Sequence, residues 1–133
     1  MWFVKFLGDA GVPATAFSYN NSSWQLVVYM LRLIMKVRKT NIYKKWISGL
    51  QDSRAQYRIL TRIKRLEEGN FGDYRFLGDI SELRINYGPG YRVYFKHITK
   101  EIIILLCGGD KSTQQEDIAR ARQIAILPME EEE

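Results

Sequence analysis

The sequence predicts an α+β fold, and three observations predict it. Ser81 to Lys96 reads as two alternating strands joined at Gly88-Pro89-Gly90. Glu101 to Cys107 (EIIILLC) is an apolar run of the kind a central strand carries. Apolar residues recur at helical spacing before these strands, from Asn41 to Glu68, and again after them, up to Leu127. Helices grouped ahead of and behind a block of strands give α+β rather than alternating α/β. At 133 residues the chain is long enough for one domain with a single core.

Residues 1–34 have a different texture. Two apolar runs, Trp2 to Leu7 and Trp24 to Ile34, flank a Ser/Asn/Gly-rich linker. The first is too short for a secretory signal core and holds Lys5. The second holds Arg32 and falls short of the roughly 20 residues that span a bilayer. Residues 1–34 are therefore expected to be an extension or an upstream start, with the functional domain over 35–127, an acidic tail over 128–133 and a cytoplasmic location.

Lys36 to Lys39 fits a short first strand. Thr40 or Asn41 caps a first helix on which Ile42, Trp46 and Leu50 recur every four residues. Asp52 or Ser53 caps a second helix, running to about Glu68, with Ala55, Ile59, Ile63 and Leu66 as its apolar stripe. Arg54, Arg58, Arg62 and Arg65 form a second stripe one residue over, readable as a solvated face or as a docking surface. Gly69-Asn70 ends that helix, and Tyr74 to Leu77 is a short strand.

In the hairpin, Leu83, Ile85 and Tyr87 share one face with Tyr91, Val93 and Phe95, while Glu82, Arg84, Arg92, Tyr94 and Lys96 share the other. Closing the turn so that Tyr87 opposes Tyr91 pairs apolar with apolar and sets Glu82 opposite Lys96. The result is a polar sheet face on which arginine beside tyrosine suits phosphate gripping and base stacking, although a merely solvated face would look the same. Gly108-Gly109-Asp110-Lys111 reads as a loop opening a helix capped by Ser112 or Thr113, with Gln115 or Glu116 closing a capping box. Pro128 stops the helix, and Glu130 to Glu133 follow.

Composition narrows the chemistry. One cysteine, Cys107, excludes an intrachain disulfide and a cysteine-cluster metal site, and one histidine, His97, argues against a zinc site or a His-paired nucleophile. No cofactor or metal is expected. A net charge of +5 and a pI near 9.4 favour an anionic partner.

Three stretches together, RIKRLEEGNFGDYRFLG, SELRINYGPGYRVYF and IIILLCGGDKSTQQEDIARA, resemble the phage-derived, HigB-type addiction-module killer proteins of the RelE/ParE toxin superfamily. The resemblance covers about Met35 to Ala125. It implies a small antiparallel sheet with two N-terminal helices packed on one face and a C-terminal helix. It also implies a type II toxin, neutralised by an adjacently encoded helix-turn-helix antitoxin, that cuts mRNA on the ribosome without a metal. In that reaction the ribose 2′-OH attacks the adjacent phosphate and leaves a 2′,3′-cyclic phosphate.

Carried over by position, Arg92 matches the family's strand arginine as stabiliser of phosphate charge. Arg84 matches a basic strand position, and Lys111 the basic position after the last strand. Glu82 departs from a basic position and is either a general base or a structural partner of Lys96. The family's C-terminal tyrosine has no counterpart, and Tyr94 is a substitute on the sheet. Lys96, Arg62, Arg65 and Gln114 are expected to contact RNA. Two other readings remain open: a non-enzymatic, ParE-like inhibitor of DNA gyrase, and an inactive remnant that only binds its antitoxin.

Overall fold

The structure is a computed structural model that describes residues 25–27 and 35–128. The chain divides into two units, Met1–Ile34 and Met35–Glu133. In the first, residues 25–27 are helical. The expectations for the rest of 1–34 and for the acidic tail at Glu130 to Glu133 lie outside the described residues.

The second unit opens with β1 (Lys36–Lys39), followed by α1 (Asn41–Gly49) and α2 (Ser53–Glu67). Thr40 is the cap of α1: its hydroxyl accepts from the Tyr43 amide at 3.0 Å and donates to the Leu106 carbonyl at 2.6 Å, tying the helix start to the sheet. Asp52 caps α2 by accepting from the amides of Arg54 and Ala55. Ala55, Ile59, Ile63 and Leu66 are all buried, as their spacing predicts. On α1 the deepest side chain is Tyr43, while Ile42, Trp46 and Leu50 are half-buried.

Four further strands complete one sheet: β2 (Tyr74–Phe76), β3 (Ser81–Ile85), β4 (Tyr91–His97) and β5 (Ile102–Asp110), in the order β1-β5-β4-β3-β2. Strands β2 to β5 are antiparallel, and β1 joins β5 in parallel at the edge. A 3₁₀ turn (Lys111–Thr113) leads into α3 (Gln114–Ala125). The fold is α+β, as expected.

The helices divide between two cores. Tyr43 of α1 and Ile59, Ile63 and Leu66 of α2 pack with Leu83, Ile85, Val93, Phe95, Ile103 and Leu105. Ile118, Ala121, Ile124 and Ala125 of α3 pack with Ile80, Tyr94, Ile104, Leu106 and Cys107. Strand β5 feeds both cores, which is why its sequence is apolar on both faces. Each large aliphatic side chain buried this way is worth about 1.5–3 kcal/mol.

Four expectations are corrected. The hairpin register is shifted by two residues: Ile85 pairs with Tyr91, Leu83 with Val93 and Glu82 with Tyr94. The connection runs over residues 86–90, with positive φ at Gly88 (55°) and Gly90 (83°), so Tyr87 lies in the turn and not in a strand. A shift of two preserves side-chain parity, so the faces stand although the partners change.

Second, Gly108-Gly109-Asp110 is not a loop but the end of β5, paired with Tyr91 to Val93. The glycines serve packing there. A Cβ on Gly108 would collide with the Trp46 ring, and one on Gly109 with the Asp117 carboxylate. Third, no capping box forms. Asp110 caps the 3₁₀ turn through the Ser112 amide, and the Thr113 hydroxyl turns to the Asp117 carboxylate. Fourth, β2 ends at Phe76, because the chain turns back at Leu77, whose amide donates to the Ile80 carbonyl.

Candidate functional site

The polar face of the hairpin is not an open surface. Helix α3 lies over it, leaving Tyr94 and Glu82 fully buried and Arg92 only 8% exposed. What stays accessible is the end of this face nearest the β3–β4 turn. There Asn86, Tyr87, Gly88, Pro89, Gly90, Arg92 and Lys111 line a shallow pocket of about 370 Å³. The backbone explains the convergence. Arg92 enters β4 just after the turn, opposite Gly109, and Lys111 leaves β5 two residues later. Gly90 fits between them: a Cβ there would lie 3.5 Å from the Lys111 Cβ and 3.7 Å from Arg92 Nη1.

Arg92 donates from Nη1 to the Tyr91 carbonyl at 3.2 Å, and its Nε faces Glu82 Oε1 at 3.9 Å. Lys111 is exposed. The pocket thus offers an oriented guanidinium and an exposed ammonium, a pair suited to a phosphate and its developing charge.

The other expected residues are placed as follows. Arg84 pairs with Arg92 across the strands, but its guanidinium binds the Asp73 carboxylate, with Nη2 at 2.9 Å and Nε at 3.1 Å. Tyr94 donates its hydroxyl to Glu82 Oε2 at 3.1 Å, and burial together with the Glu82 charge holds its pKa far above the usual phenol value. Gln114 points inward and donates to the same Glu82 oxygen at 2.7 Å.

Lys96 does not meet Glu82, which corrects the pair expected from the sequence. The two-residue shift takes Lys96 away from Glu82, and its ammonium donates to the Ala125 carbonyl at 2.9 Å, a cation at the C-terminal end of α3. Arg62 is a strut: its two terminal nitrogens donate to the carbonyls of Arg84, Phe71 and Asp73. Arg65 is exposed.

A second depression borders the pocket at Asn86. It is a groove of about 800 Å³ along α2, lined by Ser53, Arg54, Tyr57, Arg58, Thr61, Arg62, Arg65, Ile85 and Asn86. Its lining is basic, with no acidic residue among the described residues. Tyr87 links groove and pocket. Its ring lies under the Arg58 guanidinium, 4.7 Å from ring centroid to carbon, and its hydroxyl donates to Asp52. The Tyr87 role went unread in the sequence because it depends on the turn geometry. The groove itself was signalled by the arginine stripe. Among the described residues no group of three or more His, Cys, Asp or Glu is placed to hold a metal ion.

With the geometry in place, comparison with known proteins sets the family. Over 94 residues the chain is 48% identical to an uncharacterized protein of Haemophilus influenzae, covering 70% of this chain and 95% of that one. The two belong to one family. No family model matches the chain. Among solved structures it resembles the E. coli toxin RelE, there a doubly substituted form in the free state. The TM-score is 0.57 at 15% identity, over 71% of this chain and 99% of RelE. At that identity the likeness is one of fold, and the fold of this family is RelE-like. Among the described residues no helix is long and apolar enough to cross a membrane.

Proposed function

We propose that this protein is the toxin of a type II toxin–antitoxin pair, acting in the cytoplasm as a ribosome-dependent, metal-free mRNA endoribonuclease. The observation that carries the reading is the pocket where Arg92 and Lys111 meet on a RelE-like fold. In the proposed reaction the 2′-OH gives its proton to solvent water, its oxygen attacks the neighbouring phosphorus and the bond to the 5′-oxygen breaks, giving a 2′,3′-cyclic phosphate and a 5′-OH. Arg92 stabilises the charge on the phosphorane oxygens. Lys111, exposed, is the group in the pocket that can give a proton to the departing 5′-oxygen. The groove along α2 continues the path for the RNA backbone, with Arg65 and Arg58 as phosphate contacts and Tyr57, 72% exposed, as a stacking surface. The neutralising partner is an antitoxin encoded beside it.

One observation favours a second reading. Tyr94 and Glu82 lie beneath α3, and the pocket gathers positive charge without an obvious proton acceptor. A protein that grips its target through the same pocket without cutting it would look alike, as in a gyrase-directed inhibitor or a remnant that only binds its antitoxin.

Induction of the chain in growing bacteria separates these readings. The nuclease reading expects growth arrest with cuts in translated mRNA, mapped by primer extension. Arrest with intact mRNA and accumulating DNA breaks would transfer the function to gyrase. No arrest at all would leave an inactive binder.

A further inference from the structure

Glu82 has no atom in the pocket, yet it is a carboxylate with no exposure to solvent. Burying a carboxylate is unfavourable unless its charge is answered, and a buried ion pair is by itself a poor source of stability. The arrangement around it is directional. Oε2 is held twice, by the Tyr94 hydroxyl at 3.1 Å and the Gln114 amide at 2.7 Å. Oε1 makes no hydrogen bond among the described residues and faces Arg92 Nε at 3.9 Å, itself buried and without a hydrogen-bond partner. Arg75 approaches the same oxygen at 3.9 Å from a half-exposed position.

We infer that Glu82 is a positioning residue for Arg92. Tethered at one oxygen by Tyr94 and Gln114, it draws the Nε edge of the guanidinium inward with the other and so presents the Nη edge to the pocket shared with Lys111. The role of the pocket rests on the function proposed above, whereas the positioning is a property of the folded chain. A donor on a flexible side chain assists a transition state only after it has been oriented, and orientation built in beforehand is what a fixed carboxylate behind it supplies. The position of Glu82 also answers why it is no general base: no atom of it reaches the surface on which a 2′-OH would lie.

The test uses the full chain and Glu82→Gln, which keeps the size of the side chain and removes its charge. The first readout is the Arg92 Nε–Hε resonance in ¹⁵N–¹H spectra, assigned by its loss in Arg92→Lys. It should be dispersed and slow to exchange in the wild type, and should move to the position of solvent-exposed arginines in Glu82→Gln. The second is mRNA cleavage on ribosomes: kcat should fall on the order of tenfold to 100-fold with KM changed far less. Most of that loss should vanish in an Arg92→Lys background, because the two residues act as a unit.

An unmoved Arg92 resonance, or an equal kcat loss in both backgrounds, overturns the inference. Should Glu82→Gln fail to fold, Gln114→Ala removes one tether from the rim of the core and should broaden the same resonance. An unchanged spectrum there overturns the inference equally. The two readings fail separately. A shifted Arg92 signal in a protein that cuts no RNA keeps the positioning and refutes the nuclease. Wild-type cleavage and spectrum in Glu82→Gln, with Arg92→Ala inactive, does the reverse.

Discussion

At the residue scale, the same side-chain type takes different tasks according to what surrounds it. Arg92 stands on β4 and Arg62 on α2, but one edge of Arg92 lines a pocket and Arg62 is spent on three carbonyls. Arg92→Lys, which keeps a cation facing the buried Glu82 but loses the guanidinium, should therefore cost about 10²–10³ in cleavage rate while melting near the wild-type temperature. Arg62→Ala should do the opposite. It leaves carbonyls without their charged donor and should destabilise by roughly 1–3 kcal/mol in chemical denaturation. Tyr43 makes a contrasting case: its hydroxyl is buried without a hydrogen-bond partner among the described residues, and burial pushes its pKa well up. Tyr43→Phe should leave stability unchanged or raise it by up to about 1 kcal/mol, measured the same way.

Cys107 is set by burial too, which raises its thiol pKa to about 12. A raised thiol pKa keeps the neutral form through physiological pH. The folded protein should thus resist alkylation at pH 8 and react fully once denatured, a difference a mass-shift assay reads directly.

At the scale of elements, the apolar stripe of α2 was legible because helical period alone fixes which side chains share a face. The faces of β3 and β4 were legible for the same reason at period two. Their register was not. Gly88-Pro89-Gly90 invites a tight closure, and only the positive φ at Gly88 and Gly90 in a five-residue connection shows where the ladder begins. The strand character of Gly108 and Gly109 was hidden because glycine signals a loop in sequence. Here it marks the close approach of Trp46, from a helix far back in the chain, and of Asp117, from the helix that folds back over the strand. Gly108→Ala should force the Trp46 ring aside and shift its fluorescence, with a loss of about 1–3 kcal/mol from overpacking.

At the scale of the whole molecule, the sequence displayed an α+β unit and a polar sheet face, and the structure adds a lid of secondary structure over most of that face. Helix α3 removes Tyr94 and Glu82 from the surface and leaves Arg92 and Lys111 at its margin. Sequence could not show this coverage, since the apolar residues of α3 fit either side of the sheet equally well. The charge excess, by contrast, was visible from composition, and the fold gathers it into a pocket and a groove that meet at Asn86.

In the proposed function, RNA is cut in the pocket of Arg92 and Lys111. The most direct measurement is end mapping of a ribosome-bound mRNA after incubation with the purified full chain, wild type against Arg92→Ala at equal concentration. Discrete cuts ending in 2′,3′-cyclic phosphate are expected with the wild type, and their loss with the variant. Intact mRNA with both proteins, or equal cutting by both, would contradict the proposed function.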